Sequence, residues 1–269
     1  LVKRGMKLTI HDAWNFLKEE VRLRGSTGAA LRTLPSGKRV VVKRGGFAGG
    51  DPQAHINNEY DMNRYLNELG VGVPNARMVE ERGRPTMLTD YEEGARPISM
   101  NDRKQLRDDV VPQALIGNWD VLGMEMDNVL RRPDNTLSYV DVGGAGPYRA
   151  QGAPKGDAFG SEVGELDSFQ QHMPSIYGNL TEQELGQSYD KYGGSDAMEA
   201  ALSSLRNSQT RNVLQQRIGD IARQVTGMIA FVLSVIALSK SVSFMFMVPE
   251  HISTKTGLAP SKAITSAEE

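Results

Sequence analysis

The stretch from Leu115 to Gly146, L-I-G-N-W-D-V-L-G-M-E-M-D-N-V-L-R-R-P-D-N-T-L-S-Y-V-D-V-G-G-A-G, constrains this chain more than any other. It reads as loop, strand, turn, strand, loop. Val129-Leu130 is a short apolar pair, Pro133-Asp134-Asn135 is turn chemistry, and Leu137 to Val142 resumes a strand pattern. The polar groups gather at the ends: Asn118 and Asp120 before the hairpin, Asp127-Asn128 at its start, and Asp141 at its exit before Gly143-Gly144. A hairpin that delivers an Asp, an Asn and a second Asp to one edge can hold a hard divalent cation and orient a hydroxyl. Magnesium takes oxygen ligands, and one or two protein oxygens leave room for phosphates. Plain turns use the same residue types, so the rest of the chain has to decide.

Upstream, Asp12 to Arg24 reads as an amphipathic helix capped by Asp12, or its end at Val21 to Arg24 as the start of a strand. Gly25-Ser26-Thr27-Gly28 breaks the pattern. Ala29 to Leu34 and Lys38 to Arg44 are strands around the Pro35-Ser36-Gly37 turn. A glycine-bearing loop followed by two strands, with Lys43 on the second, suits phosphate. Glycine lets backbone N–H groups approach the anion and the lysine adds a point charge. After a flexible Gly45 to Pro52, a helix is expected from about Gln53 to Leu69, ended by Gly70 and carrying Glu59 near its middle. That carboxylate either meets Lys43 across a sheet–helix interface or is an ordinary surface acid. Val71 to Met78 and Pro85 to Tyr91 read as strands around a Glu80 to Arg84 turn, and Glu92-Glu93-Gly94 as a linker.

From Asp102 the texture turns helical. A loop rich in Gly, Pro and Lys follows Gly146, and helices are expected over Ser161–Gln171, Thr181–Tyr192 and from Ser195 onward. Thr181-Glu182-Gln183-Glu184 is a capping-box pattern. Val225 to Ser239 is apolar or small throughout, behind Arg206, Arg211, Arg217 and Arg223. It is short for a spanning helix and reads as a buried terminal helix or an oligomer contact, with a membrane anchor left open. The segment 249–269 reads as a flexible tail.

Composition narrows the chemistry. The 269 residues can form two lobes around a cleft. A net charge of -2 makes no case for nucleic acid. The absence of Cys excludes disulfides, thiolate zinc sites and cysteine nucleophiles, and the four His, at His11, His55, His172 and His251, lack metal-ligand spacing. No charged-then-apolar segment opens the chain, which suggests an intracellular, cytoplasmic protein, and its start at Leu1 suggests a fragment or processed product.

Taken in order, Lys43, Glu59, Asp120, Asn128 and Asp141 resemble the site residues of protein-kinase-like folds over about residues 20 to 150. The G-N-W-D approach is closest to the HipA-type and phosphatidylinositol-type atypical kinases, with a weaker likeness to kinase-like modules of phage head proteins. The resemblance implies a two-lobed α+β fold: a small β-rich N-lobe with one main helix over 1–94, and a larger, mostly helical C-lobe over 95–248. It implies an ATP- and Mg2+-dependent phosphotransferase acting on a Ser/Thr hydroxyl, most naturally of a protein. Gly25, Ser26, Thr27 and Gly28 match the glycine-rich loop, Lys43 the phosphate-binding lysine and Glu59 its helix partner. Asp120 matches the catalytic-loop Asp, with Asp127 competing for that role, and Asn128 and Asp141 match the metal ligands. The departures are equally plain. H-R-D is missing, D-V-G stands for D-F-G, and no A-P-E follows. An inactive kinase-like structural or interaction module, for example one making contacts within a phage particle, therefore stays open as the alternative.

Overall fold

A computed structural model of the chain describes residues 21–23 and 28–245, with side chains described as far as residue 227. The expected helix over Asp12–Arg24 and the tail lie outside these residues, except that Val21–Arg22 forms a strand, β1. The strand alternative holds at that end.

Strands β2 (Ala30–Thr33) and β3 (Arg39–Lys43) form the expected hairpin across Pro35-Ser36-Gly37, with Thr33 opposite Arg39. Helix α1 (Pro52–Glu68) follows. Asp51 caps it by accepting from the Gln53 N–H, Pro52 supplies the first turn, and the chain leaves at Leu69-Gly70. β4 (Ala76–Glu81) and β5 (Arg84–Asp90) complete an antiparallel sheet of order β1-β2-β3-β5-β4. The strand expected at Val71–Met78 begins five residues late, and its turn is the tighter Arg82-Gly83. Val71 and Val73 are buried as coil in the core, so their alternation reports burial and not pairing. The Gly45 to Pro52 segment, expected to be flexible, is packed at its start: Gly45 and Gly46 are buried, the latter against Gln151.

β6 (Arg96–Pro97), β7 (Val129–Arg131) and β8 (Leu137–Tyr139) make a second antiparallel sheet. Between β6 and β7 run the short helices α2 (Arg103–Asp108) and α3 (Val110–Leu115). The β7–β8 turn is closed by Arg132 N–H to the Thr136 carbonyl at 2.9 Å, with Asn135 at positive φ. Beyond it come α4 (Glu165–His172), α5 (Pro174–Tyr177), α6 (Glu182–Lys191), α7 (Gly194–Ala201) and α8 (Ser208–Met245). The helix expected from Ser161 starts at Glu165, and the one expected from Ser195 onward breaks before Ser208. The capping box at α6 is formed, with Thr181 accepting from Glu184 N–H while the Glu184 carboxylate accepts from Thr181 N–H.

The architecture is the two-lobed α+β, kinase-like arrangement, with an antiparallel sheet and its helix followed by a mostly helical lobe. The lobes nonetheless share one core. Met62, Tyr65 and Leu66 of α1 pack in the same cluster as Leu106, Leu115, Val129, Tyr139, Leu214 and Ile218. Among the described residues, Val40, Val42 and Leu88 form a separate small cluster on the sheet. Burial of this kind contributes about 1.5–3 kcal/mol per large apolar side chain, so α1 is held by the larger lobe as well as by its own sheet. Val225 is the last described member of the core, while 230–269 form a second compact unit whose described part is the end of α8. Among the described residues no helix is long and apolar enough to cross a membrane.

Candidate active site

Lys43 ends β3, and strand alternation puts its side chain on the face opposite Val40, Val42 and their cluster. It is 5% exposed. Nζ lies 2.5 Å from Glu59 Oε1, 3.0 Å from the Val140 carbonyl and 3.3 Å from Asp141 Oδ1. Burial would lower the ammonium's pKa, but the Asp141 and Glu59 carboxylates outweigh it and hold the group above its ordinary value. Glu59 is pushed up by burial and by Asp141, against the pull of Lys43.

The β7–β8 hairpin explains why Asn128 and Asp141 meet. Val129 pairs with Tyr139, so Asn128 falls opposite Val140 and its carbonyl accepts the Val140 N–H at 2.9 Å. Asp141 is the next residue, delivered to the same end. Its Oδ1 accepts from Gly143 N–H at 3.0 Å. Both contacts of the Asp141 carboxylate fall on Oδ1, so Oδ2 makes no hydrogen bond among the described residues. Gly143 and Gly144 leave little room for a side chain. A Cβ at Gly143 would meet Asp141 Oδ1 at 3.1 Å and Glu59 Oε2 at 3.3 Å, and one at Gly144 would meet Asp120 Cβ at 3.0 Å.

Asn128 Nδ2 donates to the Asp120 carbonyl at 2.6 Å and to Asp120 Oδ2 at 3.3 Å. The half-buried Asp120 carboxyl is raised above the usual aspartate range by burial, with Asp141 and Asp127 adding and Asn128 opposing. Asp127 is exposed beside the Gly123 turn. Asn118, in the loop before the hairpin, is fully buried and donates to Gln113 Oε1 at 3.0 Å. It therefore braces the loop from beneath. Among the site residues expected from sequence, Gly25, Ser26 and Thr27 lie outside the described residues, and Gly28 is coil two residues before β2.

Sequence reasoning passed over His55. It is wholly buried, receives the Gly46 N–H on Nδ1 at 2.8 Å, and contacts the Gly143 carbonyl through Nε2 at 2.8 Å. A carbonyl only accepts, so Nε2 carries the proton and the ring is the neutral tautomer. His55 stands one helical turn before Glu59, a spacing that put it on the same face. Asn58 Nδ2 adds a bond to the Ala145 carbonyl at 3.0 Å. Helix α1 thus grips the Asp141 loop at two sites, through His55 and Asn58.

The oxygens left over fit magnesium. Asn128 Oδ1 and Asp141 Oδ2 are two hard donors at one end of a hairpin, the number that leaves positions for phosphate and water. Among the described residues there is no group of three or more His, Asp or Glu that would hold a metal by protein ligands alone.

No protein-family model matches the chain, and no curated protein matches it. Its fold is similar to solved kinase-like structures. A proinflammatory kinase of Helicobacter pylori, CtkA, is 9% identical over 79% of this chain and 94% of that one, with a TM-score of 0.49. An aminoglycoside phosphotransferase of Alicyclobacillus acidocaldarius is 13% identical over 88% and 98%, with a TM-score of 0.38. HipA of a Shewanella oneidensis toxin–antitoxin system is 14% identical over 81% and 67%, with a TM-score of 0.37. At these identities and TM-scores the likeness assigns no chemistry.

Proposed function

We propose that this chain is an ATP- and Mg2+-dependent phosphotransferase that delivers a phosphoryl group to a Ser/Thr hydroxyl, in keeping with the expectation of a protein acceptor. The observation that carries the reading is the convergence of Lys43, paired with Glu59, and Asp141 at one end of the hairpin that also presents Asn128, which in turn holds Asp120. A Lys oriented by a buried carboxylate binds phosphate oxygens without searching rotamers. Asn128 and Asp141 would hold magnesium, which supplies neutralisation of the charge on the transferring phosphoryl group. Asp120 accepts the proton of the acceptor hydroxyl as its oxygen bonds to the γ-phosphorus and the bond to the β-phosphate oxygen breaks. The raised pKa of Asp120 suits a base that must hold a proton briefly.

One observation favours the rival reading, an inactive nucleotide-binding or interaction module. A lysine ammonium has three hydrogens, and Lys43 already faces three acceptors in Glu59, Val140 and Asp141. Phosphate must displace one of them, and Asp141 is the one a metal would draw away. Thermal unfolding with ATP, with and without magnesium, followed by transfer of label from the γ-phosphate, separates the readings. Magnesium-dependent stabilisation with transfer supports the enzyme. Stabilisation without transfer to any of a broad set of acceptors supports the module, and label from the α-phosphate means nucleotidyl transfer.

A further inference from the structure

Lys155 lies between the Asp141 loop and α4 and is 5% exposed. Its Nζ donates to the carbonyls of Gly117 at 2.5 Å, Gly144 at 2.8 Å and Gly146 at 2.8 Å. Three hydrogens meet three carbonyls, so the ammonium is fully used. Gly117 stands three residues before Asp120, whereas Gly144 and Gly146 stand three and five residues after Asp141. One cation therefore ties together the two loops that carry the two acids. The Trp119 ring closes over it, with Nζ 4.5 Å from the ring centroid, and the indole N–H is itself fixed by Glu165 Oε1 at 3.0 Å. Glu165 is held in turn by Arg217 at 2.5 Å, a wholly buried side chain of α8.

We propose that Lys155 is a positioning residue that sets the separation of Asp120 and Asp141, an inference that rests on the phosphotransferase reading of the site. A buried cation is costly unless its partners are in place, so an apolar side chain would have filled this space at lower cost if packing alone were needed. The charged groups facing it are Glu165, Arg217 and Arg149, the last 5.0 Å from the Trp119 centroid. Burial draws the ammonium down to about 7, Glu165 opposes this, and Arg217 and Arg149 add to it. The three carbonyls and the aromatic face favour the charged form. A neutral amine has only two hydrogens and leaves one carbonyl unpaired, so the tie loosens as pH rises.

The test compares the full chain with its Lys155→Met variant. Three quantities are measured: turnover, ATP affinity, and amide exchange in peptides covering 116–122, 141–147 and the β2–β3 hairpin. Turnover should fall by about 10²-fold with ATP affinity held, the scale of a small misplacement of reacting groups. Exchange should quicken in both loops and stay unchanged in β2–β3. Unchanged turnover, or exchange that quickens everywhere alike, overturns the proposal. Should Lys155→Met not fold, Lys155→Gln and a pH series on the wild-type chain replace it. Loosening of both loops, but not of β2–β3, as pH rises is then the expected result, and flat exchange overturns it. A wild-type chain that transfers no phosphate refutes the functional reading instead, and loop exchange still decides whether Lys155 is the tie.

Discussion

Asn128 donates its side-chain amide to both the backbone carbonyl and the carboxylate of Asp120, at 2.6 and 3.3 Å. A residue at the start of the hairpin thereby orients the acid proposed to take the acceptor proton. Asp127, one residue away, makes no such contact and is exposed. The two aspartates therefore differ in their contacts with Asn128. Asp120→Ala should lower turnover by about 10²-fold or more, the usual scale for a lost general base, with ATP binding near wild type. Because burial, Asp141 and Asp127 raise the Asp120 pKa, the acid limb of turnover should lie above the ordinary aspartate range. Asp127→Asn removes one of those raising charges, so it should keep activity and move the limb to lower pH. A limb that moves up, or activity lost in Asp127→Asn, would assign the role to the other carboxylate.

The Lys43–Glu59 pair is buried on both sides, and breaking one partner of such a pair typically costs about 3–5 kcal/mol. Lys43→Met should lower stability by that order in urea unfolding, and Lys43→Met with Glu59→Gln should lose less than the two singles together. The pH sign follows from the raised Glu59. Above the ordinary carboxylate value the native chain keeps a proton that the unfolded chain has released, so stability falls as pH rises towards the native pKa. Without Lys43 that fall should be steeper. A variant whose stability climbs with pH over the same interval contradicts the burial argument.

Asp141→Asn keeps an oxygen for the Gly143 N–H but gives up the negative charge. Unfolding without ligand should stay near wild type, because Lys43 retains Glu59 and Val140. Magnesium-dependent stabilisation by ATP should disappear. Equal stabilisation by ATP and magnesium in the variant would remove Asp141 from the metal site.

His55→Leu unpairs two buried backbone groups at once, the Gly46 N–H and the Gly143 carbonyl. Each unpaired group costs about 1–3 kcal/mol, so a loss of a few kcal/mol is expected in urea unfolding. Turnover should fall as well, since the Asp141 loop loses a fixed contact with α1. A variant as stable as wild type would mean that water replaces the ring on both sides.

Much of this was legible locally. Turn residues marked the β2–β3 and β7–β8 hairpins, Gly70 marked the end of α1, and Thr181 with Glu184 announced the α6 cap. Such signals act over a few residues, which is why they survive in the chain read by itself. The order of Lys43, Glu59, Asp120, Asn128 and Asp141 also carried the fold class. Contacts spanning long separations were not legible. Nothing near His55 or Lys155 names a carbonyl 88 or 38 residues distant as its partner, because a backbone oxygen has no sequence signature. The same limit explains Val71 and Val73, whose alternation mimics a strand. Alternation records which side chains leave water, and only the packed chain decides whether the backbone beside them pairs with a neighbouring strand or runs as coil through a shared core.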